Sequence, residues 1–122
     1  MALYAALIYM PADEYWTDQP EQVRQPSPGY VDFVTEATAA GVIRGGEPLF
    51  PPEMATTITV AGGQGGDVIS TDGPYAEAKE VLGGFFLIEA ADLDEATRWA
   101  GKIPAAWDGG KVELRPVVPM HK

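Results

Sequence analysis

The stretch from Ile69 to Phe86 reads ISTDGPYAEAKEVLGGFF. It opens as a strand at Ile69, breaks at Asp72-Gly73-Pro74, and passes through Gly83-Gly84 into a second strand. The break has a physical reason. Asp in front of Gly-Pro can bond backbone donors of a turn, Gly takes positive φ, and Pro stops a strand from continuing. Between the two strands Asp72, Glu77, Lys79 and Glu80 crowd ionisable side chains together, with Tyr75 among them. No other segment joins tight turn chemistry to so dense a cluster.

Upstream, Thr56 to Val60 is rich in β-branched residues and reads as a strand. Gly62-Gly63-Gln64-Gly65-Gly66 is a hairpin loop, and Asp67 to Thr71 returns as its partner. Downstream, Gly84 to Glu89 is an apolar strand. Asp92 then caps a helix, with Glu95 three residues on as a capping box. Its buried stripe is Leu93, Ala96, Trp99, Ala100 and Ile103, and Pro104 ends it. Asp108-Gly109-Gly110 turns the chain into a last strand, Lys111 to Val118. There Val112 and Leu114 alternate with Lys111, Glu113 and Arg115.

The first half supplies the remaining elements. Leu3 to Met10 is a short apolar run that suits a central strand buried on both faces. It is too short to span a membrane, and no basic segment precedes it, so it reads as a strand and not as a signal peptide. Asp13 to Gln25 reads as a loop with one helical turn. A helix starts with Ser27 as N-cap and Pro28 at the first position; Tyr30, Phe33, Val34 and Ala37 share its apolar face, and Gly41 follows its end. Val42 to Leu49 crosses Gly45-Gly46, and Leu49-Phe50-Pro51-Pro52 is a rigid connection. Without the hairpin, the order is βαββαβ, a ferredoxin-like α+β pattern. Its helices cover one face of the sheet only. The strands are too apolar to leave the other face wet, so a second copy should cover it, giving a homodimeric barrel.

The 122 residues make one domain, 1–122, and the 46% apolar content is that of a globular chain. A net charge of −10 with only 8 scattered lysines and arginines speaks against nucleic acid and against anionic membranes. The absence of cysteine removes disulfides, thiol nucleophiles and cysteine-based zinc sites, and fits a cytoplasmic protein.

With these residues assigned, the chain resembles the YCII-related family, and within it the proteins with an Asp-Gly-Pro-Phe motif. The resemblance rests on Asp72-Gly73-Pro74-Tyr75, the acid Glu77, Lys79-Glu80 and Gly83-Gly84-Phe85. Tyr75 stands where the family usually has Phe. Gly45-Gly46-Glu47-Pro48-Leu49, Asp92 to Ala96 and Val112 to Val117 agree as well. The resemblance implies a dimeric α+β barrel and a setting near extracytoplasmic-function sigma factors, with a sigma factor as a possible partner. It implies no reaction. Shorter relatives are thought to use a His–Asp pair, but the one histidine here is His121, beside the C-terminus.

Chemistry is expected around Asp72, as a base or ligand at the mouth of a cleft. Glu77, Lys79 and Glu80 would form its polar floor, and Tyr9 and Tyr75 would add hydroxyls. Arg115 presents a fork that suits an acidic ligand, although an internal pair with Glu113, Glu77 or Glu80 is the plainer role. Trp16 and Trp107 are expected at interfaces. No metal and no cofactor is expected: histidine–carboxylate spacing is missing, and the glycine-rich loop leads into a strand and not into a helix. The function expected is that of a small-molecule-binding or accessory protein. The alternative is a small-substrate isomerase, lyase or cofactor-free oxygenase in which Asp72 is the base and Lys79 or Arg115 stabilises an oxyanion.

Overall fold

The structure is a computed structural model and describes residues 1–12, 28–75 and 78–120. Among the described residues the strands and α-helices follow in the order β1 (Ala2–Pro11), α1 (Pro28–Ala39), β2 (Ile43–Pro48), β3 (Thr56–Ala61), β4 (Asp67–Asp72), β5 (Glu80–Ala90), α2 (Leu93–Ala100), α3 (Pro104–Trp107) and β6 (Lys111–Pro116), with a 3-10 turn at Pro52–Met54. Four strands form an antiparallel sheet in the order β2-β5-β1-β6, the ferredoxin-like arrangement. The strands β3 and β4 pair only with each other, as a separate hairpin.

Alternation along β1 decides the layering. Tyr4, Ala6 and Ile8 are buried, while Leu3, Ala5, Leu7 and Tyr9 between them keep partial exposure. The expected burial on both faces is therefore met on one. Ala6 and Ile8 join Phe33 and Ala37 of α1, Val42, Ile88, Ala100, Ile103 and Ala105 in one core, and Tyr4 packs with Ala90 and Ala96 in a second cluster. Phe33 and Phe86 meet at tilted rings with centroids 5.0 Å apart. Val112 and Leu114 pack on this core from β6, as their alternation required.

The helix ends follow from local chemistry. Val42 N–H donates to the Ala37 carbonyl and Gly41 N–H to the Thr38 carbonyl, the Schellman pair that closes α1. Tyr30 is half-buried and Val34 stays exposed, so the apolar face of α1 is narrower than its spacing implied. The expected N-cap Ser27, the loop before it, Trp16 and His121 lie outside the described residues. Asp92 caps α2 by accepting from Glu95 N–H at 2.9 Å; Glu95 reaches back to Ala91 N–H at 2.9 Å, one residue beyond the cap.

Two boundaries differ most from the sequence expectation, and the last strand ends at Pro116 and not at Val118. The helix α2 stops at Ala100, ahead of Gly101, and Pro104 opens α3. Proline suits a first helical position, where its missing N–H costs nothing. The strand β5 begins at Glu80 and not at Gly84, because both glycines lie inside it. Leu93 is exposed, so the buried stripe of the second helix starts at Ala96.

Two predictions concern stability. Asp92→Ala should lower urea-unfolding stability by about 1 kcal/mol, the usual value of a helix cap. Burial raises the Tyr30 pKa, a backbone hydrogen bond with Ala105 offsets part of this, and nearby Asp108 adds to it. The unfolded chain then loses that proton at lower pH than the folded one. Stability should fall as pH rises past the ordinary tyrosine range, near about 10. Comparing urea midpoints at neutral and alkaline pH, Tyr30→Phe should show a smaller fall than wild type.

Candidate functional site

Cross-strand register brings the polar residues together. On one side of β1, Tyr9 stands opposite Lys111, Leu7 opposite Glu113 and Ala5 opposite Arg115. These pairs share the sheet face that carries no core cluster. Gly110 permits the approach, since a Cβ there would run into the backbone of Tyr9 and Ala105 and the Met10 sulfur.

On the other side of β1 the register slips. Ile8 pairs with Gly84, but Tyr9 pairs with Leu82, so Gly83 is the extra residue of a β-bulge. Its effect reaches Glu80. Without the bulge, period-two alternation would turn Glu80 toward the helices. With it, Glu80 pairs with Pro11 and lies on the face of Tyr9 and Lys111. There Lys111 Nζ meets Glu80 Oε2 at 2.7 Å. The backbone is tied at the same place, with Ala12 N–H donating to the Lys79 carbonyl at 2.7 Å.

The result is a broad, open hollow of about 740 Å³, lined by Tyr9, Ala78, Lys79, Glu80, Lys111, Val112, Glu113 and Arg115. A neighbouring one of about 540 Å³ shares Lys79, Glu80 and Lys111. Arg115 Nη2 reaches Glu113 Oε2 at 3.4 Å, the internal pair that was the plainer expectation. Among the described residues Lys79 has no ion pair.

Four of the expected site residues, Tyr9, Lys79, Glu80 and Arg115, thus line one hollow. Lys111 and Glu113 belong with them; their place on the polar phase of the last strand was legible, but their part in a site was not assigned. Asp72 stands apart, as the last residue of β4 opposite Thr56, and lines neither hollow. Tyr75 is 90% exposed and lines neither as well. Glu77 lies outside the described residues.

The turn at Asp72 is held differently from the expectation. Gly73 has φ 103°, as a glycine turn requires. Its N–H donates to the Ala55 carbonyl at 2.7 Å, and the Thr57 hydroxyl donates to its carbonyl at 2.9 Å. The Asp72 carboxylate makes no hydrogen bond among the described residues. The turn is therefore tied to the start of β3 by backbone and threonine.

Among the described residues there is no group of three or more side chains arranged to hold a metal ion. No described helix is long and apolar enough to cross a membrane.

The chain is similar to known proteins at two levels. An uncharacterized protein of Rhizobium meliloti (strain 1021) is 41% identical over 70 residues, which are 57% of this chain and 54% of that protein. The match thus spans about half the length of this relative. A family model, that of the YCII-related domain, matches residues 2–121. On that match, which takes in both the sheet and the hollow, the chain belongs to the YCII-related domain family.

Proposed function

We propose that this protein is a homodimeric small-molecule-binding or accessory protein whose ligand site is the polar hollow at the Tyr9 end of the sheet. The observation that carries this reading is convergence. Residues from β1, from the segment just before β5 and from β6 meet around one open cavity of ligand size. The same reading gives Asp72 no catalytic part, because its carboxylate lies outside the cavity. The turn with the Asp-Gly-Pro motif then serves to end the hairpin and start the approach to Lys79. An accessory role in the cytoplasm, in the sigma-factor setting that the motif's resemblance implies, belongs to this reading.

Two surfaces support the dimer. The uncovered sheet face presents Leu3, Leu7, Phe85 and Leu87 at its centre. The hairpin adds a second apolar surface. Pairing puts Ile58, Val60 and Val68 on one side of it, and they are 63%, 45% and 70% exposed. A two-stranded hairpin alone is marginal in water and gains from a cover on its apolar side. A second copy can supply a counter-surface to both regions with one rotation.

Sedimentation equilibrium should find a dimer at micromolar concentration, and Val68→Glu should shift it toward monomer. A wild-type monomer at these concentrations would remove the dimer from the proposal. The ion pairs of the hollow are exposed, and such pairs contribute little to folding. A double-mutant cycle with Glu80→Gln and Lys111→Met should therefore give a coupling below about 1 kcal/mol in urea unfolding. In a thermal-shift screen of small polar compounds, stabilisation by a bound compound should vanish in Arg115→Ala and persist in Asp72→Asn. Loss in Asp72→Asn with an intact dimer would return Asp72 to the site.

A further inference from the structure

The hollow carries a charge that the rest of the chain does not share. The chain as a whole has 18 acidic residues against 8 lysines and arginines. Six of those cations lie among the described residues: Arg44, Lys79, Arg98, Lys102, Lys111 and Arg115. Three of the six, Lys79, Lys111 and Arg115, line this one cavity, beside two carboxylates, Glu80 and Glu113. Among the described residues of its wall, three positive and two negative groups leave +1, within a chain of −10. Elsewhere, Arg44 pairs with Glu89 and Lys102 with Glu36, as scattered surface ions usually do.

The carboxylates in the wall do not use up the cations. Lys111 spends one contact on Glu80, and an ammonium has three donors. Arg115 meets Glu113 through one nitrogen at 3.4 Å, which leaves most of its fork unengaged. Lys79 makes no ion pair among the described residues. All three cationic side chains are exposed, so an incoming anion meets no buried pair that must first be broken. The ring of Tyr9, opposite Lys111, adds apolar surface beside them.

We propose that the hollow binds a small organic monoanion: a carboxylate on an aromatic or apolar body. Lys79, Lys111 and Arg115 take the carboxylate, and the Tyr9 ring receives the body. The inference rests on reading the hollow as a ligand site, and names the class of ligand. A monoanion is favoured over a phosphate dianion because Glu80 and Glu113 stand in the same wall and repel the second charge more strongly. A nucleic-acid backbone is a poorer fit still, since it needs several unopposed cations along a track.

The test is an NMR titration of the full-length, ¹⁵N-labelled protein at low salt, with three probes: benzoate, benzyl alcohol and inorganic phosphate. Benzyl alcohol keeps the ring and removes the charge. Benzoate should shift the amide signals of residues 9, 78–80 and 111–115 saturably, and more tightly than either other probe. In Lys79→Met its affinity should fall roughly twofold to fivefold, the range of one exposed ionic contact. Added salt should weaken benzoate and leave benzyl alcohol unchanged. Equal binding of benzyl alcohol and benzoate overturns the anion inference and leaves the ligand site standing. Tighter binding of phosphate overturns the carboxylate class. No saturable shift from any probe overturns the inference and the ligand-site reading together. If Lys79→Met or Lys111→Met leaves benzoate affinity intact and weakens the dimer, the cations serve the subunit interface and the inference falls.

Discussion

One constraint governs this molecule: β1 is apolar on both phases of its alternation, but the helices cover only one. Tyr4, Ala6 and Ile8 are sealed against the helices α1, α2 and α3, while Leu3, Ala5, Leu7 and Tyr9 look the other way. A βαββαβ sheet cannot resolve this within itself, because both crossover helices must lie on the same side. The uncovered face therefore has apolar strands at its centre and polar residues toward its β6 edge, where Lys111, Glu113 and Arg115 stand. The hollow lies at that boundary between apolar and polar surface. The ligand proposed for it, with one charged end and one apolar end, matches that boundary.

Much of the architecture was legible because it rests on short-range rules. The alternation of Val112 and Leu114 with Lys111, Glu113 and Arg115 placed the last strand and its two faces. Asp92 and Glu95 marked the start of α2, and Gly41 the end of α1. The limits were also physical. Pro104 was read as the end of one helix when it is the start of the next; proline is compatible with both roles, and only packing decides between them. Leu93 fits the apolar stripe by spacing, yet it sits in the first turn of α2, where little packs over it.

The site was harder to read, since it depends on register. Tyr9, Lys79, Glu80 and Arg115 were grouped in the expectation and line one hollow, although the first and last stand 106 positions apart in sequence. Asp72 was grouped with them by closeness along the chain, which the hairpin does not preserve in space. The decisive feature, the bulge at Gly83, leaves only a glycine pair as its sequence signal. A glycine pair marks a turn, a bulge or a close approach with equal ease. The side of the sheet on which Glu80 emerges could be known only from the pairing.

The bulge also bears on how the hollow is charged. With Glu80 on the open face, Lys111 is partly neutralised, and the wall stays only slightly positive. Had Glu80 faced the helices, its carboxylate would have been pushed toward the apolar core around Ile8, where an unpaired charge is costly. One extra residue in β5 thus answers two demands together. It keeps a carboxylate out of the core, and it moderates a cluster of three cations that would otherwise repel one another. The same moderation underlies the monoanion preference proposed for the hollow. A strongly cationic hollow would take any anion, whereas one balanced near +1 among its described residues would favour a single negative charge over two.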